Sequence, residues 1–172
     1  AEPVFQPKLF ESNLCTYDFT AGGMYTTVAF SLTGGNLLRW YRDEFGAENA
    51  RAACERGENV FDRILAGMPE APSGLLVLPY FTPTGTPYFD TDAYGAVLGW
   101  KLTTTRSEFL RGLLEGVTLE MKLNVELLDQ AGVPVEELLA TGGGARNRKL
   151  VQLKADVLNR PMKISRSSQT CA

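Results

Sequence analysis

Leu138-Leu139-Ala140-Thr141-Gly142-Gly143-Gly144 decides how this chain is read, because a short apolar run breaks into three glycines just before a helix opens at Asn147. Consecutive glycines at a strand-to-helix turn let backbone approach a bulky anion closely and aim amide N–H groups at it. Leu150, Leu153 (or Val151) and Val157-Leu158 then recur at helical spacing, with polar Gln152, Lys154 and Asp156 between them. Asn159-Arg160-Pro161 stops that helix, and Met162-Lys163-Ile164-Ser165 opens a further strand. The stretch therefore predicts a strand, a glycine turn, a helix and a second strand in succession. The triplet matches neither G-x-G-x-x-G nor the P-loop, so a plain turn stands beside a ligand-binding turn on the motif alone.

Working outward, the 172 residues suffice for one domain with a real core, and 44% apolar with 22% charged residues is ordinary for a globular chain. Lys and Arg number 17 against 20 Asp and Glu, a formal charge of −3, which gives no basic footprint for nucleic acid. Cys15, Cys54 and Cys171 are odd in number and widely spaced, which suggests neither a disulfide framework nor a zinc site and fits a reducing compartment. With no apolar run near 18 residues and no leader pattern, the expected setting is cytoplasmic, without a membrane. The chain has no histidine. Ser-His-Asp and Cys-His catalysis are therefore excluded within it.

Upstream, Thr16 to Thr20, a Gly22-Gly23 turn and Met24 to Phe30 predict a hairpin. Leu37, Leu38, Trp40, Tyr41 and Phe45 predict a short helix that ends at Gly46. The region 47–74 reads as a surface insertion holding a helix near Asn59 to Ala66, and Leu75 to Leu78 reads as a fully buried strand. A Pro/Gly-rich loop from Pro79 to Tyr94 carries Asp90 and Asp92. Thr105-Arg106-Ser107-Glu108 fits a capping box that opens the strongest helix. Its stripe of Leu110, Leu113, Leu114, Val117, Met121, Val125 and Leu128 reads as core, and Gly132 closes it. The whole is an α/β domain with a mixed sheet and flanking helices.

Four blocks, in order, resemble the C-terminal lobe of the FGGY carbohydrate kinases: Gly35 through Trp40, the loop from Leu78 to Gly99, the helix ending Leu113-Leu114-Glu115-Gly116, and the Gly142 to Asn147 turn. Gly95, Val97, Gly99, Glu108, Phe109 and Glu115 match the family signature, while Trp100 and Gly112 depart from it. The resemblance implies a ribonuclease H-like lobe of the actin/hexokinase ATPase type, with 1–172 forming part of a C-terminal nucleotide-binding lobe. It also implies that the N-terminal lobe, with the sugar site and catalytic aspartate, and the final helix are absent.

By the same resemblance, ATP is held between two elements. One contributes Gly35 and Arg39, the other Gly143, Gly144 and Asn147. Arg39 has two readings, a guanidinium stacked on the base or a solvated helix residue paired with Asp43. Asp90 and Asp92 read as structural. No catalytic or metal-ligating residue is expected in the chain, so phosphoryl transfer from Mg2+-ATP to a sugar or polyol would need the longer enzyme. A non-catalytic nucleotide-binding or interaction module on the same fold is the rival reading. Apolar surface left bare in a fragment is expected to drive self-association into a homo-oligomer.

Overall fold

The computed structural model describes residues 6–19 and 21–165. Along them run α1 (Pro7–Glu11), β1 (Cys15–Asp18), β2 (Tyr25–Val28), α2 (Gly35–Phe45), α3 (Ala47–Arg56) and α4 (Val60–Ala66). There follow β3 (Leu76–Leu78), β4 (Ala96–Leu98), α5 (Arg106–Gln130), β5 (Leu138–Ala140), a 3-10 turn (Gly143–Arg146), α6 (Arg148–Leu158) and β6 (Met162–Ile164). Thr20 and Cys171 lie outside the described residues.

α5 organises the domain. The Thr105 hydroxyl accepts a hydrogen bond from the Glu108 amide at 3.1 Å, so the hydroxyl half of the predicted box forms, while the Glu108 carboxylate accepts from the Gly74 amide. Leu110, Leu113, Leu114 and Val117 join Leu37, Tyr41, Ile64, Leu65, Met68, Leu75, Val77, Leu150 and Leu153 in one core. Burial along α5 extends well beyond the predicted stripe, to Arg111, Gly112, Gly116, Thr118, Glu120 and Asn124. The helix is packed against both β3 and α6. Met121, Val125 and Leu128 are only half-buried.

Close packing of β3 depends on two missing side chains. A Cβ at Gly116 would lie 2.7 Å from the Val77 carbonyl oxygen, and one at Gly112 would lie 3.2 Å from Leu75 Cβ. Gly112 thus admits the strand, which explains a glycine that is otherwise unfavourable inside a helix. The connection before β3 is fastened by polar groups on the same helix. Arg111 Nε donates to Glu115 Oε1 at 2.5 Å, the other Glu115 oxygen accepts from the Ser73 amide at 3.0 Å, and Arg111 also reaches the Pro69 carbonyl.

Three expectations change. The 47–74 region is no surface insertion: it forms α3 and α4 and contributes Ala53, Ile64, Leu65 and Met68 to the buried interior. Leu75 to Leu78 is not fully buried, since Leu75 and Val77 face α5 while Leu76 and Leu78 are 60% and 43% exposed. The alternation is that of a strand with one covered face. Finally, parallel and antiparallel pairing both occur, as a mixed sheet requires, but among the described residues they form three separate two-stranded ladders. β1–β2 and β3–β4 are antiparallel, and β5–β6 is parallel with Leu138 opposite Met162.

Candidate functional site

The stretch from β5 to β6 folds as its sequence predicts. After Ala140 the chain turns at Gly142, whose φ of 79° lies in the left-handed region that favours glycine. The Ala145 amide donates to the Gly142 carbonyl at 3.2 Å and closes the 3-10 turn. Asn147 is the N-cap of α6, its Oδ1 accepting from the Leu150 amide at 3.1 Å. Gly143 differs from Gly142 because its φ is not positive, and a Cβ there would meet nothing within 4 Å. A Cβ at Gly144 would touch only Leu150, at 3.5 Å. Neither the turn's own conformation nor its packing calls for a glycine at Gly143.

The second expected element is the start of α2. Gly35 is its first residue, and a Cβ there would likewise meet nothing within 4 Å. Asn36 Oδ1 gathers the Gly34 and Leu37 amides at 2.6 and 3.0 Å. Arg39 is exposed one turn further on. Of its two readings, the pairing with Asp43 does not form as a hydrogen bond: Asp43 accepts from Arg42 Nε at 2.6 Å. That bond is the main cause holding the Asp43 carboxyl below its ordinary value, and the Arg39 charge adds to it at longer range.

Neither Gly35 nor Arg39 is hydrogen-bonded to the glycine turn. Instead α4, which packs on both α2 and α6, connects the two elements. Arg42 of α2 lies over the Phe61 ring at 5.3 Å. Asp62 Oδ1, on the next residue, accepts from Asn147 Nδ2 at 2.7 Å. At the other end of α4, Lys149 Nζ donates to the Ala66 and Met68 carbonyls at 3.0 and 2.7 Å. Asp62 and Lys149 escaped the sequence reading, because their partners are 80 or more residues away and no local pattern marks them.

The remaining candidates fall elsewhere. Asp90 is tied into its own loop: its backbone pairs with Thr84 and its carboxylate accepts from the Asp92 amide at 2.8 Å. An open depression of about 400 Å³ lies between Tyr80–Pro83 and Thr91–Gly95, and none of the five expected residues lines it. Among the described residues no group of three or more His, Cys, Asp or Glu gathers to hold a metal ion, and no helix is long and apolar enough to cross a membrane. Cys15 and Cys54 are free and exposed.

Residues 2–172 match the FGGY family of carbohydrate kinases, C-terminal domain. The chain belongs to that family. Its FGGY domain is 30% identical over 138 residues to the xylulose kinase of Bacillus subtilis, a match covering 78% of this chain and 26% of that protein. The crystal structure of a xylulose kinase from Rhodospirillum rubrum superposes with a TM-score of 0.73 at 30% identity, covering 88% of this chain and 29% of that one. The Plasmodium falciparum glycerol kinase, solved with ADP, shares the fold at a TM-score of 0.73 and 22% identity, over 96% of this chain and 32% of that one. The FGGY domain thus spans roughly a quarter to a third of the length of these relatives.

Proposed function

We propose that this domain is part of the C-terminal nucleotide-binding lobe of an ATP-dependent sugar or polyol kinase. The catalytic aspartate, most of the acceptor site and a closing helix then belong to parts of the longer enzyme outside residues 1–172. The observation that carries the reading is the uncovered backbone at Gly143 and Gly144, set before α6 in a domain of this family. A phosphate or ribose can approach amide groups there with no side chain between. Gly35 and Arg39 would form the facing wall, where the exposed Arg39 guanidinium would lie along a base. Mg2+ would arrive on the nucleotide phosphates, since the described residues provide no cluster of their own for it.

Several exposed surfaces support a lobe that continues into further chain. A parallel pair is ordinarily buried within a larger sheet, yet among the described residues β5–β6 pairs as two strands with Leu139 60% and Ile164 46% exposed. Leu76 and Leu98 are opposite one another on the bare face of β3–β4, and Trp100 and Leu102 are exposed in the segment after β4. The isolated domain should self-associate through such patches. A strictly monomeric light-scattering profile across a wide concentration range would count against this. The free thiols of Cys15 and Cys54 suit a cytoplasmic setting, and the charge balance suits a small-molecule partner over nucleic acid.

The reading is tested by purifying the domain and assaying ADP release from Mg-ATP with pentoses, hexoses and glycerol, alongside a calorimetric titration with Mg-ATP. Binding without turnover is expected, because positioning of the acceptor and its base is missing. Sugar-dependent ADP release by the domain alone would overturn the division of labour, and absence of nucleotide binding would overturn the role of the turn.

A further inference from the structure

The Asn147 side chain makes two hydrogen bonds, one within its own helix and one to α4. Oδ1 caps α6 at the Leu150 amide, and Nδ2 donates to Asp62. An ionised carboxylate only accepts hydrogen bonds, so Asp62 dictates which end of the amide faces α4 and leaves the carbonyl end for the cap. One Nδ2 hydrogen and one Oδ1 lone pair then remain for a ligand. Asp62 is itself held at the first turn of α4, where the Asn59 side chain caps both the Phe61 and Asp62 amides at 2.9 and 3.3 Å. Its neighbour Phe61 receives Arg42 from α2.

We propose that Asp62 is a positioning residue that fixes the orientation of the Asn147 amide and, through it, the conformation of the glycine turn. It acts on the ligand only through Asn147. The structural claim stands on the hydrogen bonds above, and its consequence for ligand affinity rests on the nucleotide reading of the turn. α4 becomes the brace that holds the α2 wall and the glycine turn in register.

The test exchanges donor and acceptor across the link. Asn147→Asp keeps a good N-cap for α6 but sets two carboxylates against each other, and adding Asp62→Asn restores a donor opposite an acceptor. Amide exchange is followed by NMR at Ala145, whose hydrogen bond closes the turn, with α5 amides as the reference for global folding. Exchange at Ala145 should quicken roughly tenfold in Asn147→Asp and return to within about twofold of wild type in the double variant. Asp62→Ala, at an exposed position, should also quicken it while α5 stays protected. An Asp62→Ala protein with wild-type exchange at Ala145, or a double variant as fast as Asn147→Asp, overturns the proposal.

Titration with Mg-ATP separates the two levels. Weaker ATP binding by Asp62→Ala than by wild type supports the positioning role, and unchanged affinity despite faster exchange overturns it for the ligand. If wild type takes up no ATP while the exchange pattern holds, the link is upheld and the nucleotide reading fails.

Discussion

Gly112 and Gly116 in α5 contrast with Gly143 and Gly144 in the turn before α6. At the first pair the space a side chain would need is already taken by Ser73, Leu75 and Val77, down to 2.7 Å from a backbone oxygen at Gly116. At the second pair it is open at Gly143 and merely touched by Leu150 at Gly144. The same residue type is therefore required by the chain's own packing in one region and not in the other. Among the described residues the fold leaves that place open, which is what the proposed approach of a nucleotide to the turn requires. The comparison predicts opposite consequences when side chains are added, or when the supports around each pair are removed.

The largest effect is expected beside the packed pair. Glu115→Ala leaves the Arg111 guanidinium buried without its carboxylate and frees the Ser73 amide, so unfolding free energy should drop by about 3–5 kcal/mol. Urea denaturation followed by circular dichroism measures this, and a loss under 1 kcal/mol would show that the network around α5 is not what holds β3 in place. Gly116→Ala should follow with a loss of about 1–3 kcal/mol, because its clash is with backbone that cannot step aside. Gly112→Ala should lose less, as its closest neighbour is the Ser73 hydroxyl at 3.0 Å, the end of a movable side chain.

A smaller, pH-dependent effect is expected at Glu120, on the same helix. Burial pushes its carboxyl above the ordinary value, only partly offset by the hydrogen bond that Ser31 donates at 2.6 Å. Folding therefore favours the protonated form. The associated stability is fully present below the ordinary glutamate value and is lost as pH rises through the raised one. Glu120→Gln removes that loss, so its melting temperature should exceed wild type at pH 8, and the advantage should shrink toward pH 4. A difference that stays constant across that range would contradict the assignment of the shift to burial.

The legibility of the two regions in sequence differed for related reasons. The turn and α6 were readable because glycines, a cap and a helical period lie within one short stretch, Leu138 to Leu158. The Thr105 cap of α5 was readable for the same reason. The burial of α5 beyond its apolar stripe was not, since Arg111, Thr118 and Glu120 look like solvent-facing residues until their partners from other segments are known. α3 was missed because Ala47 to Arg56 is rich in alanine and charge, and of its ten residues only Ala53 is fully buried. β4 is three residues long and hides beside Gly95 and Gly99. Of the candidate site, the glycines and Asn147 were legible, but the brace through Asp62 depends on tertiary proximity between residues 85 apart.

The smallest effect on stability, and the most direct test of the account, is at Gly143. Without a positive φ or a neighbour within 4 Å, the turn should accept valine with a melting temperature unchanged to within about 2 °C. The added branched side chain would nevertheless stand where, on the proposed reading, a nucleotide meets backbone. The decisive measurement is a calorimetric titration of wild type and Gly143→Val with Mg-ATP, each checked by a thermal melt. The account predicts binding by wild type and a loss of roughly tenfold or more in affinity for a folded variant, equivalent to about 1.4 kcal/mol. Equal affinity in a folded Gly143→Val protein would contradict it.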